Sequence, residues 1–237
     1  MLTVRKYEDT INPANQTLMA DSTYQVTDRR PIAARNLGFF QRLAPQLAQA
    51  GISANSISIA SAIFGLAAGA ALYFTRITPQ PLVRILWLAA AAFIQLRLVA
   101  NLLDGMVAVS SGKASAVGEL YNELPDRFSD ASTLAGLGYA AGAIPVLGWI
   151  AAILAIITAY IRTLGKSVGA GSDFRGPMAK QQRMFTVTVI SIFSACVPQS
   201  WQQWQPANVA LIIIILGSIL TCYRRLSFIS KKLKGTA

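Results

Sequence analysis

The sequence predicts an all-α integral membrane protein with six transmembrane helices and an N-terminal amphipathic interfacial helix. Of its 237 residues, 54% are hydrophobic and only 13% are charged, whereas soluble domains carry about 25% charged residues. Six apolar stretches are long enough to cross a hydrocarbon core, for which about 20 helical residues suffice. Prolines and glycines separate these stretches, as expected for turns between helices.

The first 50 residues precede the apolar stretches and divide into two parts. Residues 1–33 form a polar arm, predicted to be cytoplasmic, without the sustained apolar run of a signal peptide. From 34 to 50, apolar residues such as Leu37, Phe40 and Leu47 recur at helical spacing, with Arg42 and Gln46 on the other side. This pattern predicts an amphipathic helix that lies on the membrane surface or packs against the rest of the protein.

The predicted transmembrane domain covers 51–230, and a basic cytoplasmic tail covers 231–237. Its six spans are placed at 53–75, 82–109, 118–141, 144–165, 183–200 and 206–226. The third span is the least apolar, because it carries a group of acidic residues.

The distribution of charge predicts the orientation. The chain has 21 Lys and Arg against 10 Asp and Glu, a net charge of +11, which in a soluble protein would suggest a nucleic-acid partner. In this apolar chain it favours anionic lipid and an anionic substrate instead, with no nucleic acid. The loops at 110–117 and 166–182 and the C-terminal tail are basic, so the positive-inside rule places them and both termini in the cytoplasm. We therefore predict a multi-pass protein of a prokaryotic cytoplasmic membrane.

The composition excludes several kinds of chemistry. The chain has no histidine, so it has no histidine general base, histidine-ligated zinc or Ser-His-Asp triad. Its two cysteines, Cys196 and Cys222, lie in apolar runs and indicate neither a disulfide framework nor a cysteine metal site. Catalysis would depend on carboxylates, cations, hydroxyls, amides or a bound metal.

Half of the ten acidic residues fall in one short stretch that spans the second and third helices. Asn101 and Asp104 are three residues apart, and positions 119, 122, 123, 126 and 130 are separated by three or four, so each set shares one helical face. Where these faces meet, we predict a pocket of carboxylates and amides open to the cytoplasm. Such hard oxygen donors suit Mg²⁺ or Mn²⁺. The alternative is a set of internal salt bridges with Arg97, Lys113 and Arg127.

The run from 101 to 126 resembles the signature of the CDP-alcohol phosphatidyltransferase family, Asp-x2-Asp-Gly-x2-Ala-Arg-x8-Gly-x3-Asp-x3-Asp, on two adjacent membrane helices. Three positions depart from it, because Asn101, Val109 and Asn122 replace Asp, Arg and Asp. The strings SANSIS, around Asn55, and GPMAKQQR also look like parts of this family, so the resemblance covers roughly 50–230. The matching positions are Asp104, Gly105, Ala108, Gly118 and Asp126.

The resemblance implies transfer of a phospho-alcohol group in phospholipid synthesis. The donor would be a CDP-alcohol, usually CDP-diacylglycerol, the acceptor a hydroxyl, and the released product CMP. The resemblance also implies a bound Mg²⁺ or Mn²⁺, catalytic roles for Asp126, as general base, and Asp104, and a homodimer. The predicted metal-ligand residues are Asp104, Asp126, Asn101, Asn122, Glu119, Glu123 and Asp130, the last three of which would compensate for the charge lost at the two Asn positions.

Two further groups complete the predicted site. Small or polar residues near the signature would bind the CDP group, namely Gly105, Ala108, Gly118, Lys113 and Asn55. A basic group after the fourth span would bind a phosphate on the acceptor, which favours a phosphorylated polyol over serine. Its members are Arg162, Lys166, Arg175, Lys180 and Arg183.

Two other functions remain open from the sequence. An intramembrane prenyltransferase also holds metal and diphosphate on Asn- and Asp-rich helices. A non-catalytic lipid-binding or scaffold descendant of the fold would explain the two Asp-to-Asn departures, because fold does not guarantee function. A transporter is less consistent with acids confined to one end of the helices and no evident internal repeat.

Overall fold

The computed structural model describes residues 33–112, 116–198 and 204–235. Inside the helices, the side chains at positions 116, 117, 119 and 122 are outside this description. The predicted polar arm, apart from its last residue, and the end of the C-terminal tail also lie outside the described residues.

The described chain is all-helical, as predicted. In the described residues, a short 3-10 turn at Ala33–Asn36 precedes helix α1, and six long helices follow it. The described residues contain no strand. The helices are α1 (Gly38–Gln49), α2 (Ala54–Phe74), α3 (Leu82–Ser110), α4 (Ala116–Gly138), α5 (Pro145–Ser167), α6 (Lys180–Cys196) and α7 (Pro206–Leu233).

Local sequence signals account for several helix ends. The Ser53 hydroxyl accepts a hydrogen bond from the Ser56 amide at 3.1 Å and so caps the start of α2. Pro145 and Pro206 stand in the first turns of α5 and α7, where proline costs no hydrogen bond because the first amides of a helix have no intrahelical acceptor. The predicted spans therefore coincide closely with observed helices.

Four of the six long helices, α2, α3, α5 and α7, are long and apolar enough to cross a membrane. This confirms a multi-pass membrane protein. Helix α4 carries the acidic group, which lowers its hydropathy, and α6 has only 17 residues. That α4 and α6 also cross, giving six spans in all, stays a prediction.

Glycines let α4 approach its neighbours at backbone distance. A methyl group added at Gly136 would collide with the backbone of Gly69 in α2. On the other side of α4, a methyl group at Gly138 would come within 2.7 Å of Cα of Gly148 in α5. Small residues at such crossings are typical of membrane helices, whose association depends on close packing. Helix α4 is thus held between α2 and α5.

Helix α1 packs on the cytoplasmic end of α3 in the predicted topology. Its Ala44 is fully buried and belongs to a small apolar cluster with Leu103 and Val107, whereas Phe39 is 68% exposed. One face of α1 therefore contacts the bundle. Its location at the membrane surface stays a prediction.

Candidate active site

Asp104 lies near the end of α3 and is almost fully buried, with 2% exposure. Ser58 Oγ in α2 donates to Asp104 Oδ2 at 2.8 Å, and the Gly105 amide donates to Asp104 Oδ1 at 2.5 Å. Among the described residues, no cation forms an ion pair with this carboxylate. Asp104 is therefore a buried anion held by neutral donors, which is costly unless a cation approaches.

Asp126 in α4 lies beside Asn101 of α3. Asn101 Nδ2 donates to Asp126 Oδ1 at 2.8 Å, and the Ser61 hydroxyl donates to Asn101 Oδ1. Lys180 Nζ, at the start of α6, contacts Asp126 Oδ2. Arg97 Nη2 adds a longer contact of 3.3 Å to Oδ1. Both oxygens of Asp126 are thus bonded by the protein.

Asp130, one turn further along α4, is fixed between two buried arginines. Arg97 Nη2 lies 2.6 Å from Asp130 Oδ1, and Arg183 Nη2 lies 3.0 Å from Asp130 Oδ2. All three residues are at most 1% exposed. This triad joins α3, α4 and α6. The roles of Asp130 as a metal ligand and of Arg183 as an acceptor ligand stay predictions. Their charges are satisfied inside the protein.

Glu123 marks the outer edge of the charged region. It is half-exposed and pairs with Arg162 Nη2 at 2.6 Å and with Arg127 Nη2 at 3.1 Å. Its carboxylate thus has two cationic partners in this structure, and its role as a metal ligand stays a prediction. Arg162 also lies over the Phe174 ring, 5.6 Å from its centroid.

The predicted basic group is divided by the structure. Lys180 and Arg183 face the acids, and Arg162 stands at the edge. Arg175 pairs with Asp173 Oδ1 at 3.0 Å and lies over the Phe228 ring, while Lys166 is exposed in the last turn of α5. The five cations therefore do not form one phosphate site in this structure.

Of the predicted CDP-binding residues, Gly105 lies beside open space. A methyl group added at Gly105 would meet no atom within 4 Å, so this glycine is not needed for helix packing. Ala108 and Gly118 are half-buried, and Asn55 is exposed one turn before Ser58. Lys113 and the side chains of Glu119 and Asn122 lie outside the described residues.

The oxygen donors of this region fit a hard divalent cation. In the described part of the chain, no three acidic or cysteine side chains converge as a complete metal site. Asp104, Asp126 and Asn101 nevertheless offer carboxylate and amide oxygens, the ligands that Mg²⁺ and Mn²⁺ prefer. Asp104 fits best, because it is the buried carboxylate without an ion pair among the described residues.

The sequence analysis missed part of this arrangement. Ser58 and Ser61 hold Asp104 and Asn101, and Arg97 was considered only as a possible salt-bridge partner. An arginine inside an apolar span, one turn before Asn101 on the same face, was the available signal. The salt-bridge alternative is partly correct, because Arg97 and Arg127 do pair with acids. Cations of α5 and α6 pair with the same acids, namely Arg162, Lys180 and Arg183.

No family model matches the chain, but similar proteins are known. An archaetidylinositol phosphate synthase from Aeropyrum pernix is 30% identical over 141 residues, 52% of this chain and 71% of the relative. A phosphatidylinositol phosphate synthase from Mycobacteroides abscessus is 24% identical over 78% of this chain and 80% of its own length. Inner membrane protein YnbA from Escherichia coli is 25% identical over 72% of this chain and 83% of its own length.

Solved structures show the same fold. Phosphatidylinositol phosphate synthase from Mycobacterium tuberculosis with bound CDP-DAG has a TM-score of 0.65 and 19% identity, covering 80% of this chain and 92% of that one. The same protein in complex with manganese and citrate has a TM-score of 0.66, with 80% and 88% covered.

Fold, site and relatives together define a multi-pass membrane enzyme with its polar centre inside a helical bundle. The chain belongs to the CDP-alcohol phosphatidyltransferase family.

Proposed function

We propose that the protein transfers a phospho-alcohol group from a CDP-alcohol, such as CDP-diacylglycerol, to an acceptor hydroxyl and releases CMP. The observation that carries this proposal is Asp104, a buried carboxylate without an ion pair among the described residues, beside the open space at Gly105. A buried anion next to an open volume suits a metal that holds a diphosphate. The family relationship gives that diphosphate its chemical class.

In this proposal Asp104 is the principal ligand of Mg²⁺ or Mn²⁺, and Asp126 and Asn101 offer further oxygens. When bound, the metal would stabilise the negative charge that develops on the diphosphate. Gly105 and Ala108 leave room for the CDP group beside α3. The two serines of α2 hold Asp104 and Asn101 in place.

Asp126 is the proposed general base. The acceptor oxygen would attack the phosphorus that bears the alcohol, the bond from that phosphorus to CMP would break, and the hydroxyl proton would pass to the Asp126 carboxylate. Asn101 and Arg97 donate to Oδ1 of this carboxylate. Lys180 beside Oδ2 would position this carboxylate.

For the acceptor we propose a phosphorylated polyol, such as inositol phosphate or glycerol phosphate. Arg162, at the edge of the charged region, is the cation best placed to meet its phosphate, with exposed Lys166 and Arg175 further out. Guanidinium groups suit phosphate because they donate two parallel hydrogen bonds. The names of two relatives, a phosphatidylinositol phosphate synthase and an archaetidylinositol phosphate synthase, agree with this acceptor class.

We further propose that all six long helices cross the membrane, that the site and both termini face the cytoplasm, and that the protein forms a homodimer. The basic loops and tail support the orientation through the positive-inside rule. Cysteine-accessibility labelling at Lys234→Cys, in a variant whose Cys196 and Cys222 are replaced by Ser, tests it in sealed inverted and right-side-out vesicles. Labelling from the outer side would contradict the orientation.

The function is tested with purified protein in liposomes that contain CDP-diacylglycerol, Mn²⁺ or Mg²⁺ and one acceptor at a time. We expect metal-dependent CMP release with a phosphorylated polyol. The variant Asp104→Asn keeps the size of the side chain but removes its charge, and we expect at least about a 100-fold loss of rate.

The matched control is Asp21→Asn, the same substitution in the N-terminal arm, which should leave the rate unchanged. Full activity of Asp104→Asn would contradict the role of this carboxylate. A lack of CMP release from any CDP-alcohol with every acceptor would support a non-catalytic descendant of the fold. Consumption of a prenyl diphosphate would support the prenyltransferase alternative.

A further inference from the structure

Six charged side chains at the centre of the bundle balance one another within the protein. Arg97, Lys180 and Arg183 form ion pairs with only two carboxylates, Asp126 and Asp130. These three cations therefore carry one charge more than their partners. Asp104, which has no ion pair of its own in the described chain, supplies the missing negative charge. The cluster of these six residues is neutral.

Asn101 contributes to this balance. The family signature has Asp at this position, where a second carboxylate would repel Asp126. Here the Asn101 amide instead donates to Asp126 Oδ1 at 2.8 Å, so attraction replaces repulsion. The other oxygen of Asp126 contacts Lys180. Asp126 thus has a protein donor at each of its oxygens. In the family signature, which has four Asp residues, added cations would be needed to compensate their charge.

We propose that Lys180 is a built-in counter-cation that makes binding of the divalent metal conditional on the nucleotide diphosphate. The inference rests on the proposed function, because it takes the CDP group as the ligand. A divalent cation entering the neutral cluster alone would leave uncompensated positive charge in a region shielded from water, which is costly. The ionised phosphates of a CDP group would bring the compensating charge with them.

The position of Lys180 supports this role. It is the first residue of α6, with a side chain that is 18% exposed, so it lies between the buried triad and the open edge. Arg97 contacts Oδ1 of Asp126 and not Oδ2, and Arg183 contacts only Asp130 among the acids. Arg127 Nη2 also lies 3.9 Å from Asp126 Oδ2, but it pairs more closely with Glu123, at 3.1 Å, so Lys180 is the nearer cation at this oxygen among the described residues. Removal of this one lysine would leave the cluster with a net negative charge.

The test measures Mn²⁺ binding by the full-length protein in detergent, from the electron paramagnetic resonance signal of free Mn²⁺, with and without CDP. A protein-free titration corrects for Mn²⁺ bound by CDP itself. We expect CDP to raise the affinity for Mn²⁺ by about tenfold or more, and Mn²⁺ to raise the affinity for CDP by the same factor, because such coupling is reciprocal.

The variant Lys180→Met separates the lysine from the rest of the cluster. We expect it to bind Mn²⁺ without CDP, so that the effect of CDP falls to about twofold or less. Lys234→Met, the same substitution in the C-terminal tail, should keep the coupling of the unchanged protein. Asp104→Asn should lose Mn²⁺ binding with or without CDP, which would show that the signal comes from this site.

Equal Mn²⁺ affinity with and without CDP in the unchanged protein would overturn the inference, and this measurement does not depend on any variant folding. A Lys180→Met protein that folds and keeps the full coupling would overturn it as well. Coupled binding without any CMP release would support the inference while the proposed function fails. Metal-dependent CMP release without coupling would overturn the inference alone.

Discussion

Two segments of α4 solve opposite problems. At the C-terminal end of the helix, Gly136 and Gly138 bring the backbone against α2 and α5, and close packing there depends on the lack of a side chain. In the preceding segment, Asp126 and Asp130 bring charge into the bundle, where each needs a partner from another helix. The comparison shows how one helix keeps a costly polar centre: close packing at one end holds the charged end in register.

The largest expected effect in this comparison comes from Arg97. In Arg97→Met, Asp130 loses its 2.6 Å partner and Asp126 loses a contact. Removing one member of a buried ion pair typically costs about 3–5 kcal/mol, so we expect a loss of this size in the free energy of unfolding, measured by denaturant titration in mixed micelles.

Arg127→Met is the matched control, because Arg127 is half-buried and pairs with half-exposed Glu123. Such a partly solvated pair contributes about 1 kcal/mol or less. Equal losses in the two variants would mean that the buried triad contributes no more than an edge pair. The charged segment of α4 would then not depend on its ion pairs with α3 and α6 for stability.

A smaller effect is expected at the packed end. In Gly136→Ala, the new methyl group meets the backbone of Gly69, which cannot move aside as a flexible side chain does. The helices have to separate, at a cost of about 1–3 kcal/mol. Thermal unfolding followed by the loss of monodisperse protein on size-exclusion chromatography measures this change. An unchanged midpoint would show that the crossing is loosely packed.

The smallest change in stability is expected at Gly105, although the same substitution is made. Gly105→Ala meets no atom within 4 Å, and alanine favours a helix by about 0.5–1 kcal/mol over glycine. The variant should therefore unfold no earlier than the unchanged protein. Because the methyl group would enter the proposed CDP space, we expect the KM for CDP-diacylglycerol to rise by about tenfold. An unchanged KM would place the nucleotide elsewhere.

The sequence predicted the helices well because their signals are local. Apolar length, proline and glycine placed all six long helices, and the spacing of Asn101, Asp104 and Asp126 predicted that their faces meet. The acidic content of α4 and the short length of α6 leave their membrane crossing as a prediction. The charged side chains of these two helices pair with side chains of other helices.

The pairing of the charges was beyond local patterns. Lys180 lies 54 positions after Asp126 along the chain, and helical spacing within one segment does not indicate which distant helix packs against it. The basic residues after α5 were therefore grouped by proximity in sequence, whereas the structure assigns Arg162, Lys180 and Arg183 to three different acids. Grouping by neighbouring helix would have separated them.

The buried triad also has a consequence for how the chain enters the bilayer. Arg97 and Asp130 lie on α3 and α4, which are consecutive and form a hairpin, while Arg183 belongs to the later helix α6. If α4 and α6 cross the membrane as predicted, each of the three helices inserted singly would expose an ionised group to lipid, which is unfavourable. Inserted as a hairpin, α3 and α4 pair Arg97 with Asp130 before α6 brings Lys180 and Arg183 to the remaining negative charge. Membrane integration of this enzyme is thus expected to proceed by pairs of helices, with the future active site already forming in the first charged pair.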